Sequence, residues 1–161
     1  MKGNPVVIAE LNKLLTGELT AADQYFIHSR MYENWGLKAL YERVEHERVE
    51  ELEHADELIK RILFLEGVPD VATRAPLAVG ATVPQMLAND LAYELDVVAN
   101  LKKAIVICER EQDYDTRRIL INLLRDTEED HTHWLEQHLG LIKVMGVENY
   151  LQSNAAIGKA S

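Results

Sequence analysis

Cysteine is almost absent from this sequence, because Cys108 is the only one among 161 residues. A single cysteine excludes an internal disulfide and any zinc or iron–sulfur site built from cysteine alone, and it favours a reducing compartment. Basic residues are also few: 17 Lys and Arg stand against 27 Asp and Glu, which leaves a formal net charge of −10. Because binding to nucleic-acid phosphates requires a basic surface, nucleic acid is not expected as a partner.

Long apolar runs are missing as well. No stretch approaches the roughly 20 apolar residues of a membrane span. The first twelve residues contain Glu10 and lack the apolar segment of an export signal. We therefore expect a cytoplasmic protein without a membrane partner. With 47% apolar residues the chain can bury the core of one domain, and we assign residues 1–161 to a single domain.

Glycine and proline are concentrated at a few points, above all between Gly67 and Val83. The stretches between these points have apolar residues at spacings of three and four, which is typical of amphipathic helices. Short connections favour antiparallel neighbours, and the one long connection allows a crossover along the bundle. The sequence therefore predicts an all-α, antiparallel four-helix bundle with a crossover between helices two and three and a short fifth helix. The predicted helices span 6–34, 38–65, 84–111, 116–144 and 147–153.

Each long helix has polar side chains in the middle of its apolar stripe. The first and third helices each have one glutamate there, and the second and fourth each have a Glu-x-x-His pair. A glutamate and a histidine three residues apart lie on one helix face and can reach the same ion. The six residues are Glu18, Glu51, His54, Glu94, Glu128 and His131.

Charge compensation points to metal ions at these positions. Four ionised carboxylates buried together cost several kcal/mol each unless they are neutralised. Two divalent ions balance the four negative charges, and two neutral imidazoles complete the ligand sets. On the fourth helix the predicted inward stripe runs through Ile121, Leu124, Glu128, His131 and Leu135.

Three other side chains are candidates for supporting roles. Tyr25 follows Glu18 by seven residues on the same helix face, which is consistent either with contact to the site or with ordinary burial. His46 and Glu50 are one helical turn apart and could form an accessory cation site. The remaining histidines are expected on the surface or in polar networks.

Several sequence blocks resemble the bacterioferritins of the ferritin-like superfamily, and together they cover nearly the whole chain. The blocks are MKGNPVVIAELNKLLTGEL, QYFIHSRMYENWGL, HADELIKRILFLEG, DLAYELD, DTEEDHTHWLEQHLGLI and MGVENYLQ. The resemblance implies a ferritin-like bundle in a hollow shell of 24 subunits. It also implies a ferroxidase that oxidises iron(II) with oxygen or hydrogen peroxide and stores a ferric mineral in the cavity.

The resemblance also assigns roles to individual residues. The family's di-iron motif corresponds to the six residues named above, with Glu51 and Glu128 expected to bridge the two ions and Glu18 and Glu94 to be terminal ligands. His46 and Glu50 correspond to an extra iron site on the inner surface. Tyr25 is similar to a tyrosine that supports electron transfer.

One position departs from the family pattern. Bacterioferritins bind haem between two subunits through a methionine from each, and the corresponding residue here is Leu52. Because leucine cannot ligate iron, no residue for binding haem is assigned, and haem is not expected in a shell made of this chain alone. The sequence resembles the methionine-less subunits that coassemble with haem-binding ones. A ferredoxin is the expected type of reductant for iron release.

Two alternatives stay open at this stage. One is a di-metal enzyme that reduces or disproportionates peroxide on the same bundle, such as a rubrerythrin or a manganese catalase. A rubredoxin-like module needs several cysteines, which argues against the former. The other is a scaffold subunit that binds metal only structurally and partners a haem-binding bacterioferritin chain.

Overall fold

The computed structural model describes residues 1–155, and the last six residues of the predicted domain lie outside the described residues. A π-helical segment, Thr127–Thr132, joins two helices without a break, and we call Tyr114–Met145 as a whole the fourth bundle helix. The described helices are α1 (Pro5–Asn34), α2 (Lys38–Phe64), α3 (Val83–Arg110), α4 (Tyr114–Asp126), α5 (His133–Met145) and α6 (Val147–Asn154). No helix in this part of the chain is long and apolar enough to cross a membrane.

The predicted architecture is confirmed. Helices α1 and α2 pack along each other, as do α3 and the fourth bundle helix, and α1 also packs against α3. Cross-helix contacts show that α1 and α3 run antiparallel, because Asn4 contacts Glu111 whereas Gln24 contacts Asp90. The short helix α6 packs on α5 at one end of the bundle. The result is a four-helix bundle with a short C-terminal helix.

Local sequence signals explain where the helices begin. The Asn4 side chain accepts a hydrogen bond from the backbone N–H of Val6 at 2.8 Å, and Pro5 fills the first helical position, where no N–H is needed. Asp113 caps α4 in the same way through the N–H of Thr116 at 3.1 Å. After α1 the chain reverses at Gly36, whose φ of +76° is readily adopted only by glycine.

The crossover between α2 and α3 is irregular, but it is held against α1 by side chains. Polar side chains on one face of α1 accept hydrogen bonds from successive backbone amides of the crossover. These amides would otherwise lack partners inside the fold. The donor–acceptor pairs are Asp70 and Asn12 at 2.8 Å, Ala75 and Thr20 at 3.0 Å, Ala78 and Gln24 at 3.0 Å, and Gly80 and His28 at 3.2 Å.

A buried polar network fastens the end of the crossover to α1 and α3. His28 accepts the Gly80 N–H at Nε2, so its proton lies on Nδ1, which is 2.9 Å from Asp90 Oδ1. Gln24 donates to the same Asp90 oxygen at 2.8 Å. His28 is fully buried and Asp90 nearly so, and burial raises the pKa of Asp90. His28 is therefore a polar-network histidine, one of the two roles expected for it.

Two apolar clusters fill the bundle on either side of its middle. One contains Leu15 and Leu58 among its members, and the other contains Leu40 and Leu87. The polar residues predicted on the helix stripes lie between these clusters along each helix, as with Glu51 between Val44 and Ala55. The core is thus apolar at both ends and polar in a thin central layer.

The fourth bundle helix differs from the prediction of one continuous α-helix. Its buried face runs through Leu120, Leu123 and Thr127, whereas Ile121 is exposed and Leu124 only partly buried. The predicted stripe was therefore wrong by one residue before the π-helical segment and correct after it, at His131 and Leu135. A π-helical turn accommodates an additional residue, which shifts the inward face of the helix by about one position.

We predict that Gly80→Ala destabilises the bundle, because a Cβ at this position would lie 2.6 Å from the backbone nitrogen of Met86. Overpacking against backbone costs roughly 1–3 kcal/mol of unfolding free energy. The matched control is Gly140→Ala inside α5, where an added Cβ meets no atom within 4 Å. Guanidinium unfolding midpoints measure both variants, and equal midpoints would contradict the tight approach of the crossover to α3.

Candidate metal centre

Five of the six residues predicted as metal ligands converge in the central polar layer. Glu18 comes from α1, Glu51 and His54 from α2, Glu94 from α3, and His131 from the π-helical segment. All five are buried, with side-chain exposures of 9% or less. Each lies on the helix face that packing directs inward, so the four bundle helices all contribute to one centre.

The five residues form two groups that share Glu51. In the first group, His54 Nδ1 lies 3.4 Å from Glu51 Oε2 and 3.8 Å from Glu18 Oε2. In the second group, His131 Nδ1 lies 2.9 Å from Glu51 Oε1 and 3.3 Å from Glu94 Oε1.

These separations leave space for a cation at each position. Within each group, one ligand atom per residue lies within 4.8 Å of the others. The two imidazole rings are nearly parallel, with centroids 5.7 Å apart. The arrangement offers two adjacent cation positions with one carboxylate common to both.

Burial and mutual repulsion set the charge states of the free side chains. Burial, followed by the charge of Glu51, raises the pKa of Glu18 to about 8. Burial alone would lower the pKa of His54, but the carboxylates of Glu18 and Glu51 outweigh it and raise that pKa to about 11. The pKa of His131 is likewise raised, despite burial, by the acids around it. In the absence of metal, protons on these groups therefore supply the compensating positive charge.

Unpartnered donor atoms show that the residues fit metal ions. Both carboxylate oxygens of Glu18, Oε1 of Glu51, Oε2 of Glu94 and Nδ1 of His54 are buried without a partner in hydrogen-bond geometry, although some lie within ion-pair distance of one another. Buried polar atoms are normally satisfied, and each orphan is destabilising. Carboxylate oxygens and imidazole nitrogens suit divalent first-row transition metals, so two such ions would satisfy this donor set.

The structure does not bring Glu128 into the centre. Its side chain is 42% exposed and its Oε1 lies 2.8 Å from Lys102 Nζ. The residue on the inward face at this level is Thr127, which is fully buried and donates to the Leu123 carbonyl at 2.9 Å. The cause is the π-helical segment, whose additional residue turns Glu128 away while His131 remains inward.

Tyr25 lies next to the centre. It is buried, and its hydroxyl donates a hydrogen bond to Glu94 Oε1. Burial, followed by the charges of Glu94 and Asp90, raises the pKa of Tyr25 well above its usual value. The phenol is therefore neutral and in contact with a carboxylate of the second group.

The accessory pair His46 and Glu50 lies next to Nε2 of His131, the ring nitrogen that faces away from Glu51 and Glu94. His46 Nε2 lies 3.0 Å from Glu50 Oε1 and is largely exposed. The other oxygen of Glu50 lies 3.0 Å from His131 Nε2, and this hydrogen bond is the main cause that lowers the pKa of Glu50 to about 2. Glu50 therefore connects the exposed pair to the buried histidine.

Sequence reasoning did not assign a role to two acids that the structure places beside His131. Glu47 is 3% exposed, and its Oε2 lies 2.8 Å from His131 Nε2. Asp130 belongs to a third group of potential ligands together with Glu47, Glu50 and His131. The position of Glu47 on the apolar stripe of α2 was a usable signal, whereas Asp130 lies on the π-helical segment, which the apolar pattern did not reveal.

Leu52 lies on α2 between the candidate ligands Glu51 and His54, but it points away from the centre and is 42% exposed. Its side chain has no atom that can ligate a metal. Leu52 therefore does not supply the axial thioether ligand that the sequence resemblance leads one to look for at this position.

Comparison with known proteins agrees with this geometry. A family description termed "Ferritin-like domain" matches residues 8–145. A bacterial ferritin of Synechocystis sp. is 60% identical over 153 residues, which cover 95% of this chain and 98% of the relative. A bacterial ferritin of Paramagnetospirillum magnetotacticum is 59% identical, covering 96% of this chain and 95% of the relative. A bacterioferritin of Brucella melitensis is 42% identical, covering 97% and 96%.

We predict that Glu18→Gln leaves the metal-free protein at least as stable as the unaltered protein, because it removes a carboxyl whose charge is disfavoured by burial. The same variant loses part of the stabilisation that Co(II) confers, by about 1.4 kcal/mol for each tenfold loss of affinity. Unfolding midpoints with and without Co(II) measure both effects.

Glu10→Gln, two helical turns earlier on α1 and paired with Lys13, is the matched control. It should change either midpoint by the equivalent of less than about 0.5 kcal/mol. Glu18 has a structural role and is not a ligand if Glu18→Gln destabilises the metal-free protein and Co(II) stabilises the variant as much as the unaltered protein.

Proposed function

This chain is a member of the ferritin-like family, and on that premise we propose that it oxidises iron(II) at the buried centre and stores the ferric product. The observation that carries the proposal is the pair of buried carboxylate–histidine groups that share Glu51 and have unpartnered donor atoms. Iron(II) is the substrate of the oxidation, and oxygen or hydrogen peroxide is the oxidant.

Each group of side chains holds one iron(II) ion. Glu18 and His54 hold the first ion, Glu94 and His131 hold the second, and Glu51 contributes one oxygen to each. Two ions deliver two electrons to one oxidant together, which avoids the superoxide that a single ion would release. Burial of the centre between two apolar clusters excludes bulk water from the reaction.

Tyr25 supports the reaction from beside the second ion. Its hydroxyl donates to Glu94, so the phenol orients this carboxylate and is placed to supply an electron and a proton. His46 and Glu50 form the accessory site, and Glu50 also contacts His131. This contact supports a path for iron from the centre toward the accessory pair.

Membership of the family supports assembly into a shell, and the partners are part of the proposal. Ferritins form oligomeric shells, and we propose a shell of 24 copies, made of this chain alone or mixed with a haem-binding subunit. The stored mineral lies in the shell's cavity, and a ferredoxin is the proposed reductant for its release. The proposed place of action is the cytoplasm.

We predict that metal-free shells given iron(II) and then oxygen show a fast phase that saturates near about two iron ions per subunit, followed by retained mineral. A peroxide-disproportionating enzyme would turn over peroxide without accumulating iron, and a scaffold would do neither. Glu94→Gln removes a ligand of the second ion and should slow the fast phase by about 100-fold while shells still assemble.

Glu128→Gln is the matched variant, because the structure pairs Glu128 with Lys102 outside the centre. It should slow the fast phase by less than about tenfold. An effect as large as that of Glu94→Gln would instead support all six ligands predicted from the sequence, with Glu128 turning inward when iron binds. Unchanged fast kinetics in Glu94→Gln would refute the proposed centre.

We further predict that shells of this chain alone do not bind haem, because Leu52 offers no ligand atom. Leu52→Met should add a Soret absorption when haem is supplied, with one haem for each pair of subunits. Val49→Met is the matched control, since Val49 lies one helical turn earlier and is equally exposed at 42%. A stoichiometric Soret band with the unaltered protein would contradict this proposal.

A further inference from the structure

Arg43 is a half-buried cation that contacts the surroundings of the metal centre without reaching the proposed ligands. Its Nη2 forms ion pairs with Glu47 Oε1 on its own helix and with Asp130 Oδ1, at 2.8 Å, on the fourth bundle helix. Its guanidinium lies over the ring of Trp134, 5.1 Å from the centroid. Arg43 thus connects α2 to the fourth bundle helix at residues on both sides of His131.

The ring of His131 is held from two sides. Nδ1 faces Glu51 and Glu94 in the centre, whereas Nε2 lies 2.8 Å from Glu47 Oε2 and 3.0 Å from Glu50 Oε2. A histidine that binds a metal through one nitrogen usually donates the other N–H to a carboxylate, which fixes the tautomer and the orientation of the ring. Glu50 has this outer hydrogen bond with Nε2, and Glu47 lies beside it within ion-pair distance of the same nitrogen.

Glu47 needs a nearby cation to compensate its buried charge. It is 3% exposed, and neither of its oxygens has a partner in hydrogen-bond geometry, although both lie within ion-pair distance of a cationic group. An ionised carboxylate at such a depth is unfavourable unless a charge compensates it. Oε2 of Glu47 faces His131, and its other oxygen, Oε1, pairs with Arg43. When a metal binds Nδ1 of His131, Arg43 remains the cation that compensates the charge of Glu47.

We propose that Arg43 is a positioning residue for the metal centre: by holding Glu47 and Asp130, it fixes the imidazole of His131 with Nδ1 directed at Glu51 and Glu94. The inference rests on the proposed function, because it concerns the second of the two iron positions. Arg43 should affect that position alone. Among the described side-chain contacts, neither Glu18 nor His54 touches the two acids that Arg43 holds.

The test is a Co(II) titration of metal-free assembled shells, followed by visible d–d absorption, with Co(II) counted per subunit. The unaltered protein should bind two Co(II) ions per subunit. Arg43→Gln should weaken one of the two positions by about 10- to 100-fold and leave the other within about threefold. Arg43→Lys, which keeps the positive charge, should restore most of the lost affinity.

The weakened position is identified in the Glu18→Gln background, in which the position that includes His131 remains. Arg43→Gln should weaken Co(II) binding in that background by the same factor. Arg48→Gln is the matched control: Arg48 lies on α2, pairs with Glu45, and sits over Phe26 with an exposure of 21% against 25% for Arg43. It should leave both positions unchanged.

Three results would overturn the inference, two in the variant and one in the unaltered protein. If Arg43→Gln binds two Co(II) ions with unaltered affinities, or weakens both positions equally, Arg43 does not position His131. Absence of Co(II) binding by the unaltered protein would instead overturn the proposed metal centre, and this inference with it. The two failures are distinguishable because the first appears only in the variant.

Discussion

Buried carboxylates that lack partners are the constraint around which this bundle is built. Glu18, Glu51 and Glu94 lie in the middle of the bundle, where water cannot solvate their charges. An apolar core would be more stable there, because isolated buried charges cost several kcal/mol each. These unfavourable charges are found where two histidines and the common carboxylate of Glu51 create two cation positions. The buried oxygens without hydrogen-bond partners are the same atoms that suit divalent ions.

The rest of the bundle keeps these side chains from moving apart. Apolar clusters on both sides of the polar layer hold the four helices together. Side chains of α1 accept hydrogen bonds from backbone N–H groups of the crossover and so hold the crossover against α1. The buried network of His28, Asp90 and Gln24 lies one helical turn from Tyr25 and Glu94. Because these contacts fix α1 relative to α3, the tyrosine hydroxyl reaches its carboxylate.

The π-helical segment of the fourth bundle helix gives the centre its asymmetry. One additional residue per turn places Thr127 inward and turns Glu128 toward Lys102, while His131 stays in the core. The same turn brings Asp130 to Arg43, so that the histidine is supported from the side away from the metal positions. A local change in helical pitch therefore directs one candidate ligand, Glu128, away from the centre and brings Asp130 to Arg43. π-helical turns occur frequently at functional sites.

The sequence by itself determined the number and order of the helices, the long crossover and the burial of five candidate ligands, because apolar spacing reports which face of a regular α-helix is buried. That reasoning assigned Glu18, Glu51, His54, Glu94 and His131 to the core correctly. It failed for Ile121 and Glu128, since the periodicity argument assumes a constant 3.6 residues per turn and the π-helical segment breaks that assumption. Only the tertiary structure decided that Arg43, Glu47 and Asp130 meet behind His131. Contacts between residues distant in sequence depend on how the helices pack and rotate against one another. The spacing of residues within a single helix carries no information about that packing.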